Sequence, residues 1–525
     1  MEYVAGFSFG LFIFQSLFMK SMMGGTYWHN VRKSFLPEFI SMNFMMAGMA
    51  PVMTFLMMGR DMRAMDPAEL LFWGVMSFGV IAGSLVAYPS NVWMVARRLK
   101  HGLMTDRMPG TRHALSHRGQ EPSSWPGQHK PGEHTVLNPH RLRQPAAPNA
   151  ASEHRLGSDA TRPRLAAVAG VSALALILGM TAPANWVNLR LSAREVGGAI
   201  MPLGMIMDRN TPAEAMLDMA AVDPRHVVAR YGLETRGGRV LEPRIEDDVH
   251  VFDLETSVIR WAILPGVSVD AYAFNAQIPG PRLRIRQGDH VRINVTNRLR
   301  ETTTVHWHGL VLPNVMDGPA RITQEPIENG QRYRYEFTAV QAGTYFYHSH
   351  DHVDRQQALG LYGALLIEPA AFDPTLHADH EYTLLLQEWL LREGLTYPAM
   401  PMEGGMPNYF TINGRAYPST DTIPMRVGER LKVRFIGSNN GFIHPMHIHG
   451  GPFQVVAKDG ETLALSARYA ADTINVGPGE RYDVIWRALR PGRWLIHCHI
   501  GHHTTNNSVE TQGGGGLMIV IAVAE

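Results

Sequence analysis

The sequence predicts a mixed fold: transmembrane α-helices at the N-terminus, then an all-β region of two sandwiches. Three observations carry this. Long uncharged apolar runs fill the first hundred residues and recur once near residue 170. From Val249 onward, apolar and polar residues alternate in short runs, the period of half-buried strands. The second half of that β region repeats the first.

The apolar runs come first in the chain. Tyr3 to Met19 carries no charge and ends at Lys20. Phe39 to Met58 follows Pro37 and Glu38, a helix start. Leu70 to Tyr88 is closed by Pro89, and Leu165 to Ala184 is the fourth. A hydrocarbon core takes about 20 residues to cross, and each run meets that roughly. No basic residue precedes the first run, which favours an anchor over a signal peptide. Residues 1–104 therefore read as a membrane domain with about three transmembrane helices, and 165–184 as a further one. Lys20, Arg32 and Lys33, and the arginines between 97 and 164, fall on the cytoplasmic side by the positive-inside rule. That places the N-terminus and everything after Ala184 outside, in a multi-pass protein of the cell membrane in contact with lipid, its C-terminal region periplasmic.

Residues 105–164 are rich in Pro, Gly, Ser, His and Arg without apolar periodicity, and read as a disordered cytoplasmic linker. Residues 185–248 form a connector containing Met201, Met205, Met207, Met216 and Met219. Met42, Met45, Met46, Met49, Met53 and Met57 share one face of the second apolar run. Such a face is either a packing seam or a surface that handles Cu(I), since thioethers suit that ion.

Totals narrow the function. Lys and Arg number 48 against 47 Asp and Glu, so bulk charge points to no nucleic-acid partner. A single cysteine, Cys498, excludes an intrachain disulfide and, flanked by His497 and His499, suggests metal chemistry.

The β region carries the runs "HVRINVTN", "QRYRYEF", "RLKVRFIG" and "RYDVIWRA". "NGQRYRYEF" then "AGTYFYHSH" is echoed by "PGERYDVIW" then "PGRWLIHCH". Arg332 lies 16 residues before His348, as Arg481 lies 16 before His497. Two copies of one domain fit, at 249–372 and 380–525. Each holds two His-x-His pairs at matching places, and residues i and i+2 of a strand face the same way. The four motifs are His306-Trp-His308, His348-Ser-His350, His444-Pro-Met-His447-Ile-His449, and His497-Cys498-His499 with His503.

With these motifs, and with "FNAQIPGP", "MDGPARITQ" and "FTINGRAYP" beside them, residues 249–525 resemble multicopper oxidases. The resemblance implies two cupredoxin-like domains and about four coppers per protomer, of type 1, type 2 and binuclear type 3. It assigns type 1 copper to His444, Cys498 and His503, a His₂Cys set that also suits blue copper on physical grounds. Type 2 falls to His306 and His447, and the type 3 pair to His308, His348, His350, His449, His497 and His499. Asp317, in "MDGPA", matches the family's proton-relay carboxylate. No acid matches the family's second one, for which Asp351 and Glu510 are candidates. The implied reaction oxidises a small reductant one electron at a time and reduces dioxygen to water. Cluster ligands split between the two copies place the cluster at an interface between a first and a second domain; two-domain members of the family close such interfaces as rings of three, so the resemblance implies a homotrimer.

The reductant is left open between a phenol, as for laccases, and Cu(I), for which Met400, Met402 and Met406 could gather the ion. A copper-storage protein without turnover is the non-enzymatic alternative. The full set of eight cluster histidines argues against a nitrite reductase. Thr504 to Gly516 reads as an inserted loop, which moves the axial type 1 neighbour to Leu517, with Met518 as the alternative. Residues 1–104, ending "AYPSNVWMVARRLKHGLM", resemble a small bacterial membrane domain of unknown function.

Overall fold

The structure, a computed structural model, describes residues 2–18, 26–58, 61–97, 99–100, 161–182, 196, 198–202, 211–402 and 404–525. It divides into two compact units, Met1–Val52 with Phe78–Ala182, and Met53–Ser77 with Pro183–Glu525. The expected linker 105–164 lies outside the described residues except for its last four positions, as do Met205 and Met207.

The first unit is helical. A short helix α1 (Glu2–Ser8) continues as π-helical turns over Phe9–Phe18. Then come α2 (Tyr27–Met58), α3 (Leu70–Ala96) and α4 (Arg162–Thr181), the last two turns of α2 and the first two of α3 being assigned to the second unit. Only α2, α3 and α4 are long and apolar enough to cross a membrane among the described residues. The first apolar run, expected as a span, forms α1 and the π-helical turns that follow it, up to Phe18. Its glycines let it lie close to α2: a Cβ at Gly6 would come within 2.7 Å of Met42, and one at Gly10 within 2.5 Å of Glu38.

Prolines also behave differently from expectation. α2 starts ten residues ahead of Pro37 and runs through it and Pro51, and α3 runs through Pro89 rather than stopping there. An interrupted helical hydrogen bond is tolerated in such helices, where neighbouring groups re-satisfy the freed carbonyl. α4 opens at Arg162, ahead of the expected Leu165, with Pro163 in the first turn where its missing N–H costs nothing. Small residues set the packing. Gly83 backs onto Met45 and Met49, and Gly179 onto the backbone of Ala47. Phe78, Leu85, Leu174 and Ile177 point outward, while Asn30, Ser34, Asn43 and Ser172 are buried.

The second unit is mainly β. Its first sandwich has a six-stranded sheet carrying Val249–Leu264, His290–Thr296 and Arg332–Thr338, and a five-stranded sheet. The second has an eight-stranded sheet carrying His380–Arg392, Arg430–Gly437 and Arg481–Arg487, and again a five-stranded sheet. The duplication read from the sequence is present in the topology. In the first five-stranded sheet, Arg282–Arg286 runs parallel to Tyr362–Glu368, which pairs with Gly343–Ser349, then Val305–His308. In the second, Thr422–Arg426 runs parallel to Met518–Ala524, which pairs with Gly492–Cys498, then His444–Ile448.

Short strands also arise inside 185–248. Ala229–Tyr231 pairs with Ile259–Trp261 and Val240–Leu241 with Arg282–Leu283, so this stretch supplies strands to the first sandwich. Runs of two or three residues are too brief to show a period. Earlier in the same stretch α5 (Ala213–Met219) helps form a small core in which Met58, Met62, Met65, Met201 and Met216 pack together.

A third core joins the sandwiches. Trp261, Ile278 and Phe346 of the first pack with Leu385, Trp389 and Ile436 of the second. Burying a large apolar side chain contributes about 1.5–3 kcal/mol, so this joint holds the two sandwiches as one body. Trp261 also donates to the carbonyl of Gly414, at 2.9 Å.

Candidate metal centre

Strand alternation builds an inner and an outer site on the same two strands. Met446 pairs with Cys498 and His447 with His497 across the sheet. Cys498 therefore points into the second sandwich's core, where it is 1% exposed, and its neighbours His497 and His499 point out. His444, three positions before His447, points inward too. His503 comes from the 3₁₀ turn Gly501–Thr504 and is buried.

These three inner side chains converge. His444 Nδ1 lies 3.1 Å from His503 Nδ1, and Cys498 Sγ lies 3.5 Å from His503 Nδ1 and 3.9 Å from His444 Nδ1. Metal–N and metal–S bonds near 2.0 and 2.3 Å separate the ligand atoms of a trigonal site by about 3.5–3.7 Å, so the group has the dimensions to hold one ion. Its chemistry fits copper: two imidazoles and one thiol. Burial, with His444 and His502 nearby, pushes His503 down to about 3, so the ring is neutral and free to bind. Burial pushes the Cys498 thiol up to about 12, so binding metal there releases a proton.

One residue of this site escaped the sequence reading. Glu388 Oε1 lies 2.8 Å from His444 Nε2 and accepts from Asn439 Nδ2 at 2.7 Å. It is 2% exposed, and burial raises its pKa. The contact fixes the His444 ring with Nδ1 toward Cys498. The available signal was an acid in an apolar strand, "LLLQEWLL". Glu388→Leu is expected to weaken copper binding at the inner site by about 10–100-fold, read by copper titration against a chelator.

Leu517 and Met518 separate cleanly. Cys498 N donates to Leu517 O at 3.1 Å, and Leu517 N to His503 O at 2.9 Å. Leu517 is fully buried in the core that holds Cys498. Met518 pairs with His497 across the sheet and so faces the other way; its sulfur lies against Gly514. The 504–516 loop is two tight turns closed by the bridges Asn506–Val509 and Thr511–Gly514. It is tied to the body by Asn507 N donating to Asn408 O and by Asn506 Nδ2 donating to Tyr417 O, each at 2.8 Å. His502 is exposed next to the buried His503, with Nε2 3.3 Å from Pro407 O.

The outer imidazoles form two sets. In the first sandwich the His306 ring centre lies 5.5, 5.4 and 5.3 Å from those of His308, His348 and His350. In the second, His447 lies 4.9, 5.7 and 5.7 Å from His449, His497 and His499. The two copies orient their rings alike. His348 Nδ1 lies 2.8 Å from Ser349 O, and His497 Nδ1 lies 2.8 Å from Cys498 O. His306 and His447 also turn Nδ1 to backbone oxygens, of Asp317 at 2.7 Å and Asp472 at 2.6 Å. Each such contact turns Nε2 toward the set as the donor nitrogen; His348 Nε2 lies 3.3 Å from His308 Nδ1 and His497 Nε2 lies 3.0 Å from His449 Nε2. Burial pushes His308 down to about 3 and His348 well below its usual value, so both are neutral.

The two sets line different hollows. The first borders a cavity of about 220 Å³ with Gln357 and Gly479; His447 and His449 border another of about 620 Å³ with Ala470 and Asp472. Among the described rings, contacts occur within each set and none joins one set to the other.

The candidate acids divide as well. Asp317 Oδ1 is 3.5 Å from His306 Nδ1 and half exposed. Asp351 is buried and occupied, accepting from Thr302 Oγ1 at 2.5 Å and pairing with Arg321 at 3.2 Å. Glu510 is exposed on the 504–516 loop.

Duplicate sandwiches, a buried His₂Cys group and paired imidazoles on adjoining strands define a copper protein of cupredoxin-like domains. Two family models, each described as multicopper oxidase, match residues 255–371 and 397–510, and the chain belongs to that family. A domain of unknown function matches residues 1–100. The chain is similar to copper resistance protein A of Escherichia coli, 29% identical over 42% of this chain and 44% of that protein. It is similar to laccase-6 of Oryza sativa subsp. japonica, 32% identical over 46% of this chain and 43% of that protein. It thus spans less than half the length of both. A solved structure of a blue copper oxidase from Nitrosomonas europaea is 34% identical, over 52% of this chain and 86% of that one, with a TM-score of 0.48.

Proposed function

We propose that the chain is a membrane-anchored multicopper oxidase that oxidises a small phenolic, laccase-like reductant and reduces dioxygen to water. The observation that carries this is Cys498, whose sulfur sits in the buried His444/His503 group while His497 and His499 face the outer set. Copper held by these residues would supply one-electron redox chemistry at the inner group and four-electron reduction of dioxygen at the outer one.

His444, Cys498 and His503 are the type 1 ligands, and Leu517 is the axial neighbour. His306 and His447 take type 2; His308, His348, His350, His449, His497 and His499 take type 3, for about four coppers per protomer. Glu388 and the backbone oxygens at Asp317, Ser349, Asp472 and Cys498 orient the rings. Asp317, beside His306, holds and passes on protons that the reaction consumes. The two outer sets line separate hollows, so a complete cluster needs one set from each of two chains, and a closed ring of three satisfies every such contact. The distribution of arginine and lysine supports a periplasmic oxidase region.

Leu517→Met is expected to lower the potential of the type 1 site, since a thioether stabilises Cu(II) where leucine cannot. Met518→Leu, on the opposite face, leaves it unchanged. A redox titration of the blue absorption distinguishes them, and the reverse pattern reassigns the axial residue.

A cuprous oxidase is the second reading. Met402 and Met406 are exposed in the segment that ends at Pro407, against His502. Copper content with oxygen uptake, measured on the full chain against phenols and Cu(I), tests both. Changing both methionines to leucine lowers Cu(I) turnover alone if they feed the site. Copper bound without oxygen uptake for any reductant leaves a storage protein and overturns the oxidase reading.

A further inference from the structure

The connector and the turn after α2 build a core unlike the others. Five of its eight buried members are methionine: Met58, Met62, Met65, Met201 and Met216. The other three are Val196, Ala199 and Ala220, and Met57 and Met219 pack against it partly buried. The three sandwich cores hold two buried methionines between them, Met425 and Met446, and are filled mainly by branched and aromatic side chains. Packing alone therefore does not account for the thioethers, since flexible methionine specifies a core poorly and the chain fills its other cores without it. Local structure gathers these side chains. Met62 N donates to Ala199 O, and Asp61 forms a bridge with Ile200. Alternation along that extended stretch sends Ala199 and Met201 to the methionine core, and Ile200 to the other side with Leu390 and Tyr397. Met62 and Met65 begin and end a 3₁₀ turn, where residues three apart lie one above the other. Met216 and Met219 repeat that spacing on one face of α5. Among the described residues of these segments no polar side chain is buried, so thioether sulfur is the side-chain donor inside. Residues 57–69 and 211–226 carry Asp61, Asp66, Glu69, Glu214, Asp218 and Asp223 against Arg60, Arg63 and Arg225, an excess of negative charge that draws cations.

We propose that this methionine core is a Cu(I) site, separate from the coppers of the oxidase. Soft thioethers select Cu(I), whereas harder cations need the carboxylates, carbonyls or water that suit them. Met62, Met201 and Met216 are fully buried and form the inner part of the site. Met57 and Met219 are partly buried and offer the first thioethers that an incoming ion meets. The ion arrives and stays as Cu(I), so no electron moves and nothing is oxidised. All of these residues lie outside the two stretches matched as multicopper oxidase. Met57, Met58, Met62 and Met65 fall in the stretch matched by the domain of unknown function.

The test uses the full copper-loaded chain, oxidised, in detergent and chloride-free buffer, with Ag(I) as a redox-inert stand-in for Cu(I). Silver retained through gel filtration is counted against protein. The expected result is about one Ag(I) per chain, with copper content and blue absorption unchanged. Met62→Leu with Met216→Leu, a change that nearly conserves volume, removes that ion and keeps the blue band, which shows that the variant is folded. Should the pair lose the band, Met62→Leu and Met201→Leu are scored singly, each expected to weaken retention several-fold. Met402→Leu with Met406→Leu keeps the ion. A parent chain that retains no silver overturns the site, whatever the variants do. So does an ion that survives the Met62 and Met216 changes, or one that disappears with Met402 and Met406. Retention is read without turnover, so a chain that holds silver but consumes no oxygen overturns the oxidase reading and leaves this site standing.

Discussion

Cys498→Ser is expected to remove the blue absorption band and bring reductant-driven oxygen uptake to background. Copper content should fall by about one ion per chain, since one trigonal site loses its only sulfur. The side chain is 1% exposed and one atom changes, so the core keeps its volume and loses little stability. The hydroxyl cannot replace the thiolate: it is a harder donor and stays protonated. His497 is held by the pairing of Gly492–Cys498 with its two neighbours, and His499 N donates to Pro445 O at 2.7 Å, so the outer set survives the change. That separation makes the result diagnostic. Loss of every copper would mean that the strand itself had collapsed, and a retained blue band would place the inner site elsewhere. The matching control is His503→Ala, which acts on the same site from a 3₁₀ turn rather than the strand.

Much of this site was legible because strand geometry converts sequence spacing directly into direction. His306 and His308, or His497 and His499, must share a face, and Cys498 must oppose them, wherever the strand sits. The same rule, with the duplication, made the paired sheets legible through runs such as "RLKVRFIG", which forms the strand Arg430–Gly437. Glu388 was not legible. Its meaning comes from a partner 56 positions away, His444, and nothing in "LLLQEWLL" says which ring it will meet. Leu517 and Met518 were likewise undecided until the pairing of Met518 with His497 assigned their faces, because a one-residue shift after a loop reverses every side chain. The helix ends failed for a different reason. Pro37 and Pro89 read as boundaries by rules for water-exposed chains, whereas both helices continue through them.

Two inactive variants are expected to restore each other. His348→Ala removes a ligand from the first sandwich's set and His449→Ala one from the second's; each alone should abolish oxygen uptake. In a ring, the first sandwich of one chain meets the second sandwich of the next. A mixed ring of three then contains one junction where both halves are intact, whichever variant is in excess. With equal expression and random assembly, three rings in four are mixed and one junction in three works, so activity returns to about a quarter of the parent's. A chain that completed its own cluster would show no recovery, because every chain carries a broken half. Trp261, Phe346, Trp389 and Ile436 lock the sandwiches together. In that locked state the first set lines one hollow and His447 and His449 of the second line another, so joining the sets within one chain would open a buried apolar joint. Native mass supplies the independent check: the mixed preparation should have the parent's trimeric mass, and a monomeric mass with full copper loading would overturn the shared cluster.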